Sequence, residues 1–145
     1  MTELYLFATL AGTRIAVRSQ EVEAVVKLTD ISPVPGTGAH IAGLSALRSR
    51  VLTIVDAAAL IDGQATPADR RSLAIICNVA GHSYGMMVDA IADICAVPEG
   101  ELPLRGRIDP AWACFADGIV DYLGEPHLLV KLARFIEGAA LPQAA

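Results

Sequence analysis

Three cysteines, three histidines and a few clustered carboxylates are the residues with which this 145-residue chain could do covalent or acid–base chemistry. Cys77, Cys95 and Cys114 are widely spaced, each follows apolar neighbours (IIC, DIC, WAC), and no CxxC pair exists. That pattern supports neither zinc nor thioredoxin-type exchange. It reads as buried, reduced thiols serving as small hydrophobes, with a small β-barrel enzyme using Cys77 or Cys114 as the catalytic alternative. No histidine stands two or four residues from another histidine or a cysteine, so metal-ligand spacing is absent. His40 in a loop, His82 in a hairpin turn and His127 after a proline turn each read as solvated turn residues. Asp89 and Asp93 could pair as acid and base only on one regular face; Asp89 reads better as a cap of the turn into the next strand. Gly36-Thr37-Gly38 lacks the following Lys-Ser/Thr and helix of a phosphate loop. These residues call for no catalytic step, metal or cofactor.

A different kind of chemistry is offered by Arg48 and Arg50, which bracket Ser49 at a predicted hairpin tip. Two guanidiniums there suit either docking of an acidic partner helix or hydrogen-bonded fixing of a loop. A pair of solvated turn residues is the plain alternative.

The elements that must position these groups are mostly short strands. Leu4–Leu10 and Arg14–Arg18 flank an Ala11-Gly12-Thr13 turn and read as a hairpin. A brief helical turn at Ser19–Glu21 follows, with Ser19 as its candidate N-cap, then a strand over Val22–Leu28. The segment Ser32–Gly38, with two prolines and two glycines, is a loop. Ile41–Leu47 and Val51–Val55 form a second hairpin, after which Asp56 caps a short helix that Gly63 stops. Gln64–Arg71 links this half to a second one built alike. Ser72–Ala80 and Tyr84–Val88 form a hairpin turned at Gly81-His82-Ser83, and Asp89–Val97 is a strand. Pro98–Pro110 is a loop, Ala113–Leu123 and His127–Val130 form another hairpin, and Lys131–Glu137 is a helix. The tail from 139 reads as frayed.

This order is a duplication. Gly43–Gly63 lies over Gly118–Gly138 without a gap at an offset of 75, and the Ala11-Gly12 and Ala80-Gly81 hairpins repeat at an offset of 69. Two copies are too few for a solenoid. Short strands at regular spacing point to an all-β chain folded as small closed barrels. The chain is expected to form a single domain over 1–145, with repeat units near 4–63 and 72–138 read as two similar lobes related by a pseudo-twofold. A groove between the lobes is a natural place for a partner.

Bulk properties narrow the function. Apolar residues make up 54% of the chain, yet no apolar run reaches the ~18 residues of a membrane helix. No positive segment precedes the first apolar residues, so a cytoplasmic location without membrane insertion is expected. A net charge of −5 with 11 basic residues, and 5% aromatics, argue against a nucleic-acid partner.

The segment GLSALRSRVLTIVDAAALI resembles a signature of the CheW-type chemotaxis coupling proteins, with Gly43, Leu47, Arg48, Ile54, Val55 and Asp56 at its positions. GHSYGMMVDAIADI is similar to a second one through Tyr84, Gly85, Val88, Asp89, Ile91 and Ile94, and FADGIVDYLGEPHLLVKLARFI to the closing segment. The resemblance covers residues 4–138 in order. It implies two SH3-like five-stranded barrels, no catalysis and no cofactor. It further implies an adaptor linking the regulatory domain of a CheA-type histidine kinase to the cytoplasmic tip of methyl-accepting chemoreceptors, recruited to membrane-associated arrays. A docking module detached from a larger kinase or receiver-linked adaptor is the same-class alternative. By resemblance, Val22, Gly43, Leu44, Leu47 and Arg48 would meet the receptor, while Gly85, Met87, Val88 and Asp89, on the second barrel, would meet the kinase. Three positions depart from the family pattern: Ala46 replaces an Asn, Ser49 a Gly, and Ala24 a Glu able to pair with the Arg. Glu23 is adjacent to that last position, but on a regular strand it points to the other face.

Overall fold

A computed structural model describes residues 3–28, 31–32, 41–47, 49–63, 66, 73–104 and 106–139. Among these residues ten strands carry the fold: β1 (Leu4–Leu10), β2 (Thr13–Arg18), β3 (Ala24–Lys27), β4 (Ile41–Leu47), β5 (Arg50–Val55), β6 (Leu73–Val79), β7 (His82–Val88), β8 (Ala90–Ala96), β9 (Ala116–Tyr122) and β10 (Glu125–Val130). Among the described residues, one 3-10 turn, Ser19–Glu21, and three short helices, α1 (Ala57–Asp62), α2 (Pro110–Ala113) and α3 (Leu132–Ala139), accompany them.

The strands form two five-stranded SH3-like sheets, ordered β8-β1-β2-β10-β9 and β3-β6-β7-β5-β4. The two barrels are therefore not the two sequence copies. Each draws strands from both halves, and each is joined across the halves by a parallel pair, β2 with β10 and β5 with β7. Two crossovers pass between the sheets, β2 to β3 and β7 to β8.

Uninterrupted apolar runs such as LYLFATL make sense in this arrangement, because the central strands are buried on both faces. Tyr5 and Phe7 fill the interior of the first barrel with Ala16, Val120 and Leu129, while Leu6, Ala8 and Leu10 face the other way. On β6, Ala74 and Ile76 fill the second barrel, and Ile75 and Cys77 turn to the core between the barrels. A period of two thus sends neighbouring residues into different cores. The shared core is completed by Trp112, Leu132, Phe135 and Ile136, with the Phe115 and Phe135 rings stacked at 4.1 Å.

The helix ends follow the expected chemistry. Asp56 Oδ1 accepts from the Ala59 amide at 3.2 Å, and Gly63, at φ 77°, closes α1 in the left-handed region. Asp56 is fully buried, but its carboxylate also accepts from the Thr66 amide and hydroxyl. The 3-10 turn differs: Arg18, not Ser19, occupies its N-cap position, without a side-chain cap. Helix α2 was not expected from the segment up to Pro110, although Asp109-Pro110 is a start signal of cap followed by N1 proline; Asp109 Oδ1 accepts from the Ala111 amide at 2.9 Å. Most of the expected 32–38 loop, the 64–71 linker and the tail after 139 lie outside the described residues, as do His40 and Arg48.

Candidate functional site

The segment 19–25, which carries the chain from the first sheet to the second, forms one wall of two grooves. On one side lies an apolar groove of about 240 Å³ lined by Leu6, Val22, Ala24, Val25 and Ile94, with Ser19 and Glu23 at its edge. Ile94 is 51% exposed although it belongs to a strand of apolar residues. Leu4, 46% exposed, is its diagonal neighbour on the same face, since Leu6 pairs with Ile94 and Leu4 with Ala96. On the other side a cavity of about 330 Å³ is bounded by Gln20, Glu21, Val22, Cys77, Asn78 and Leu132. Val22 lines both.

The other residues expected at the receptor face are placed differently. Gly43 and Leu44 lie on β4, at the opposite end of the strand order from β3. Leu44 is at the border of exposure, at 36%, whereas Gly43 is buried. Gly43 has a structural reason to be glycine. Its φ is 147°, and a Cβ there would overlap the Ser32 carbonyl oxygen. The Ser32 and Leu44 backbones cross at this point and exchange two hydrogen bonds of 2.8 and 2.9 Å. Its counterpart Gly118 does the same service in the other sheet. There a Cβ would come within 2.8 Å of the Leu102 carbonyl, and Leu102 and Ile119 exchange bonds of 2.7 and 2.8 Å. The duplicated glycines mark where an incoming loop crosses an edge strand.

At the β4–β5 tip, Ser49 takes a left-handed φ of 69°, where the second copy has Gly124 at 77°. Arg50 is held at this tip by Glu23, Nη2 to Oε2 at 2.7 Å, and its Nη1 donates to Ser83 Oγ at 3.2 Å. Glu23 precedes β3 rather than lying within it, so the strand rule that turned it away does not apply. Its carboxyl is held below the ordinary range by hydrogen bonding to Arg50. The pair ties the start of β3, β5 and β7 together.

In the segment expected to meet the kinase, Gly85, Met87 and Val88 are buried, and a Cβ on Gly85 would press on Ile54 Cδ1. This segment shares the second sheet with β4, so the two expected faces are not on separate barrels. Asp89 is exposed and pins the β7–β8 crossover to the β1–β2 turn: its carboxylate accepts from the Gly12 amide at 3.2 Å, and its own amide donates to the Thr9 carbonyl.

A carboxylate also pins the other crossover. Glu21 Oε1 accepts from the Leu132 amide at 3.0 Å at the start of α3. Its Oε2 is buried with no hydrogen-bond partner, Arg18 Nη1 being 3.8 Å away, and burial pushes the carboxyl above its ordinary value. Arg18 is drawn off by Glu101 (2.6 and 2.7 Å) and Asp117 (2.7 Å), whose carboxyls it holds low. Nothing in the local sequence announces this network, because its members lie up to 99 residues apart.

The residues considered for catalysis disperse. Cys77 is 2% exposed, and burial, the largest cause, raises its thiol to about 12. Cys95 is half-buried and Cys114 exposed, so only the first of the three fits the expected buried thiol. His127 is a correction as well: it is buried, not solvated, with its ring edge-on to Phe7 at 5.0 Å and Tyr122 at 5.7 Å. His82 is exposed on β7. Among the described residues no group of three or more His, Cys, Asp or Glu could hold a metal ion, and no helix is long and apolar enough to cross a membrane.

Residues 4–140 match the CheW-like domain family. The chain is 30% identical over 105 residues to the chemotaxis protein CheW of Rhizobium meliloti (strain 1021), covering 72% of this chain and 68% of that one. It is 24% identical over 116 residues to the chemotaxis protein CheW of Thermotoga maritima, covering 80% and 76%. Among solved structures, the scaffolding protein TtCheW from Thermoanaerobacter tengcongensis superposes with a TM-score of 0.80 at 22% identity, covering 94% of this chain and 89% of that one.

Proposed function

Because the chain belongs to the CheW-like domain family, we propose that it is a non-catalytic adaptor of chemotaxis signalling, coupling methyl-accepting chemoreceptors to a CheA-type histidine kinase. The observation that carries this reading is the apolar groove between the barrels, where Val22 and Val25 are half-buried and Ile94 is 51% exposed. Apolar anchors in a shaped groove are what a helical partner needs, and binding of this kind owes little to net charge. The receptor tip is assigned to this groove and to the β4–β5 side with Leu44, Leu47 and Arg48. The kinase regulatory domain is assigned to the β7–β8 turn, where Asp89 is the exposed member and Gly85, Met87 and Val88 act from inside by setting the strand. The adaptor works in the cytoplasm at receptor arrays.

The test is co-sedimentation with receptor-containing membranes and purified kinase, with kinase phosphorylation as the output. The wild-type chain is expected to join the pellet and raise phosphorylation in the ternary mixture. Ile94→Glu and Arg48→Ala are each expected to fold normally and lose receptor coupling. Association with neither partner refutes the proposal.

A further inference from the structure

Val22 lines both grooves beside the crossover segment, yet no strand ladder fixes its direction. It lies between the 3-10 turn Ser19–Glu21 and β3, and its own amide donates to the Ser19 carbonyl at 3.0 Å. Its backbone is extended, at φ −100° and ψ 119°, but pairing of residues with β6 begins only at Ala24. Holding such a residue in one conformation costs about 1–2 kcal/mol of backbone entropy, which contacts of its neighbours must offset.

The neighbours on either side are both glutamates, and both carboxylates are engaged across the fold. Glu21 Oε1 accepts from the amide of Leu132, 111 residues on, at the start of α3. Glu23 Oε2 accepts from Arg50 Nη2 at 2.7 Å, and Arg50 Nη1 donates to Ser83 Oγ at 3.2 Å. The first anchor leads to the core shared by the barrels, through Leu132, and the second to β5 and β7 of the second sheet. A backbone bond from the Glu23 amide to the Ile76 carbonyl, at 2.8 Å, follows them. The two anchors differ in kind. Glu23 and Arg50 are exposed, whereas Glu21 Oε2 is buried without a hydrogen-bond partner. A buried carboxylate oxygen left unpaired costs stability, so stability does not explain why a glutamate stands there. An anchor for the groove wall does.

We propose that Glu21 and Glu23 are positioning residues of the groove. They hold Val22 in the direction that a helical partner meets, Glu21 as a hydrogen-bond acceptor for α3 and Glu23 as the charge partner of Arg50. The proposal rests on the adaptor reading of this groove, and neither carboxylate is required to touch the partner.

The intact chain, carrying isotope-labelled valine methyls, is followed by NMR and by co-sedimentation with receptor-containing membranes. Glu21→Ala and Glu23→Gln should each broaden or average the Val22 methyl signals. Sedimentation should weaken about tenfold with loss of the hydrogen bond to a charged acceptor, and about threefold with loss of the exposed pair. Glu21→Gln keeps an acceptor for the Leu132 amide and should recover most of what Glu21→Ala loses. Glu23→Arg combined with Arg50→Glu reverses the pair, leaves Ser83 a hydroxyl able to donate, and should restore Val22 and binding together. The thermal midpoints of Glu23→Gln and of the reversed pair should match the wild type, because an exposed pair contributes little to stability; a binding loss that only tracks a lowered midpoint overturns the proposal. Unchanged Val22 signals in both single variants also overturn it, as does a reversed pair that folds but binds no better than Glu23→Gln, the mark of a direct contact. Glu21→Gln as weak as Glu21→Ala refutes the acceptor role. A wild-type chain that stays out of the pellet refutes the adaptor reading instead, and the Val22 signals still judge the anchors.

Discussion

Replacing Gly43 by alanine tests whether this glycine belongs to the fold or to a binding surface. Two penalties apply. A φ of 147° is a conformation that L residues rarely adopt, and holding one there costs about 1–3 kcal/mol. The new Cβ also collides with the Ser32 carbonyl, part of the rigid backbone. The crossing segment must move away, which breaks the two Ser32–Leu44 hydrogen bonds, at about 1 kcal/mol each. The sum is about 3–5 kcal/mol, a large part of the ~5–15 kcal/mol that stabilises a typical domain. Gly118→Ala provides the internal scale. It meets the Leu102 carbonyl, also backbone, at 2.8 Å but without a positive φ, so only displacement of the crossing loop remains, at about 2 kcal/mol for the two Leu102–Ile119 hydrogen bonds. Urea unfolding at 25 °C should show both midpoints lowered at constant slope, Gly43→Ala by roughly 1.5 to 2.5 times as much. A cost below about 1 kcal/mol for Gly43→Ala, or one no greater than that of Gly118→Ala, refutes the reasoning.

Ser49→Gly should stabilise the chain by about 1 kcal/mol, because a left-handed φ of 69° is strained for serine; a thermal midpoint raised by about 2–4 °C would register it. Glu21→Gln should stabilise at pH 7–8. The buried carboxyl is raised, so the folded state binds its proton more readily than the unfolded chain, and the charged form is a liability above that value. The gain should disappear as the pH falls below the ordinary carboxyl value of 4.5, a trend read from unfolding midpoints at pH 8, 6 and 4. Iodoacetamide at pH 8 should label Cys114 and leave Cys77 unmodified until the protein unfolds, as peptide mass spectrometry would show. Prompt labelling of Cys77 would revive the reactive-thiol alternative.

Much of the fold was legible from local pattern. All ten described strands were expected within three residues of their ends, and Ala116–Tyr122 differed most, beginning three residues later because Pro110–Ala113 folds as a helix. Turn chemistry did this work: Ala11-Gly12, Ala80-Gly81 and Leu123-Gly124 each place two successive residues at positive φ, as tight hairpins require. The His127 environment was not legible, since the ring that buries it belongs to Phe7, on a strand at the far end of the chain. Nor was the partner of Arg50. Glu23 faces it only because the chain bends before β3 begins.

Composition, turn residues and the repeated glycines by themselves determined that this chain is all-β, duplicated, and free of metal-ligand spacing. Those are properties of neighbouring residues, which exclude or favour conformations within a few positions of each other. Which strand pairs with which is different. Only the tertiary structure decided that each barrel would take strands from both copies, because a β-strand's hydrogen-bonding edges carry no record of sequence distance. That exchange turns two similar halves into one shared core and leaves a groove between barrels at Val22 and Ile94. The duplication says where the strands are; their pairing says where the surfaces are that a partner can find.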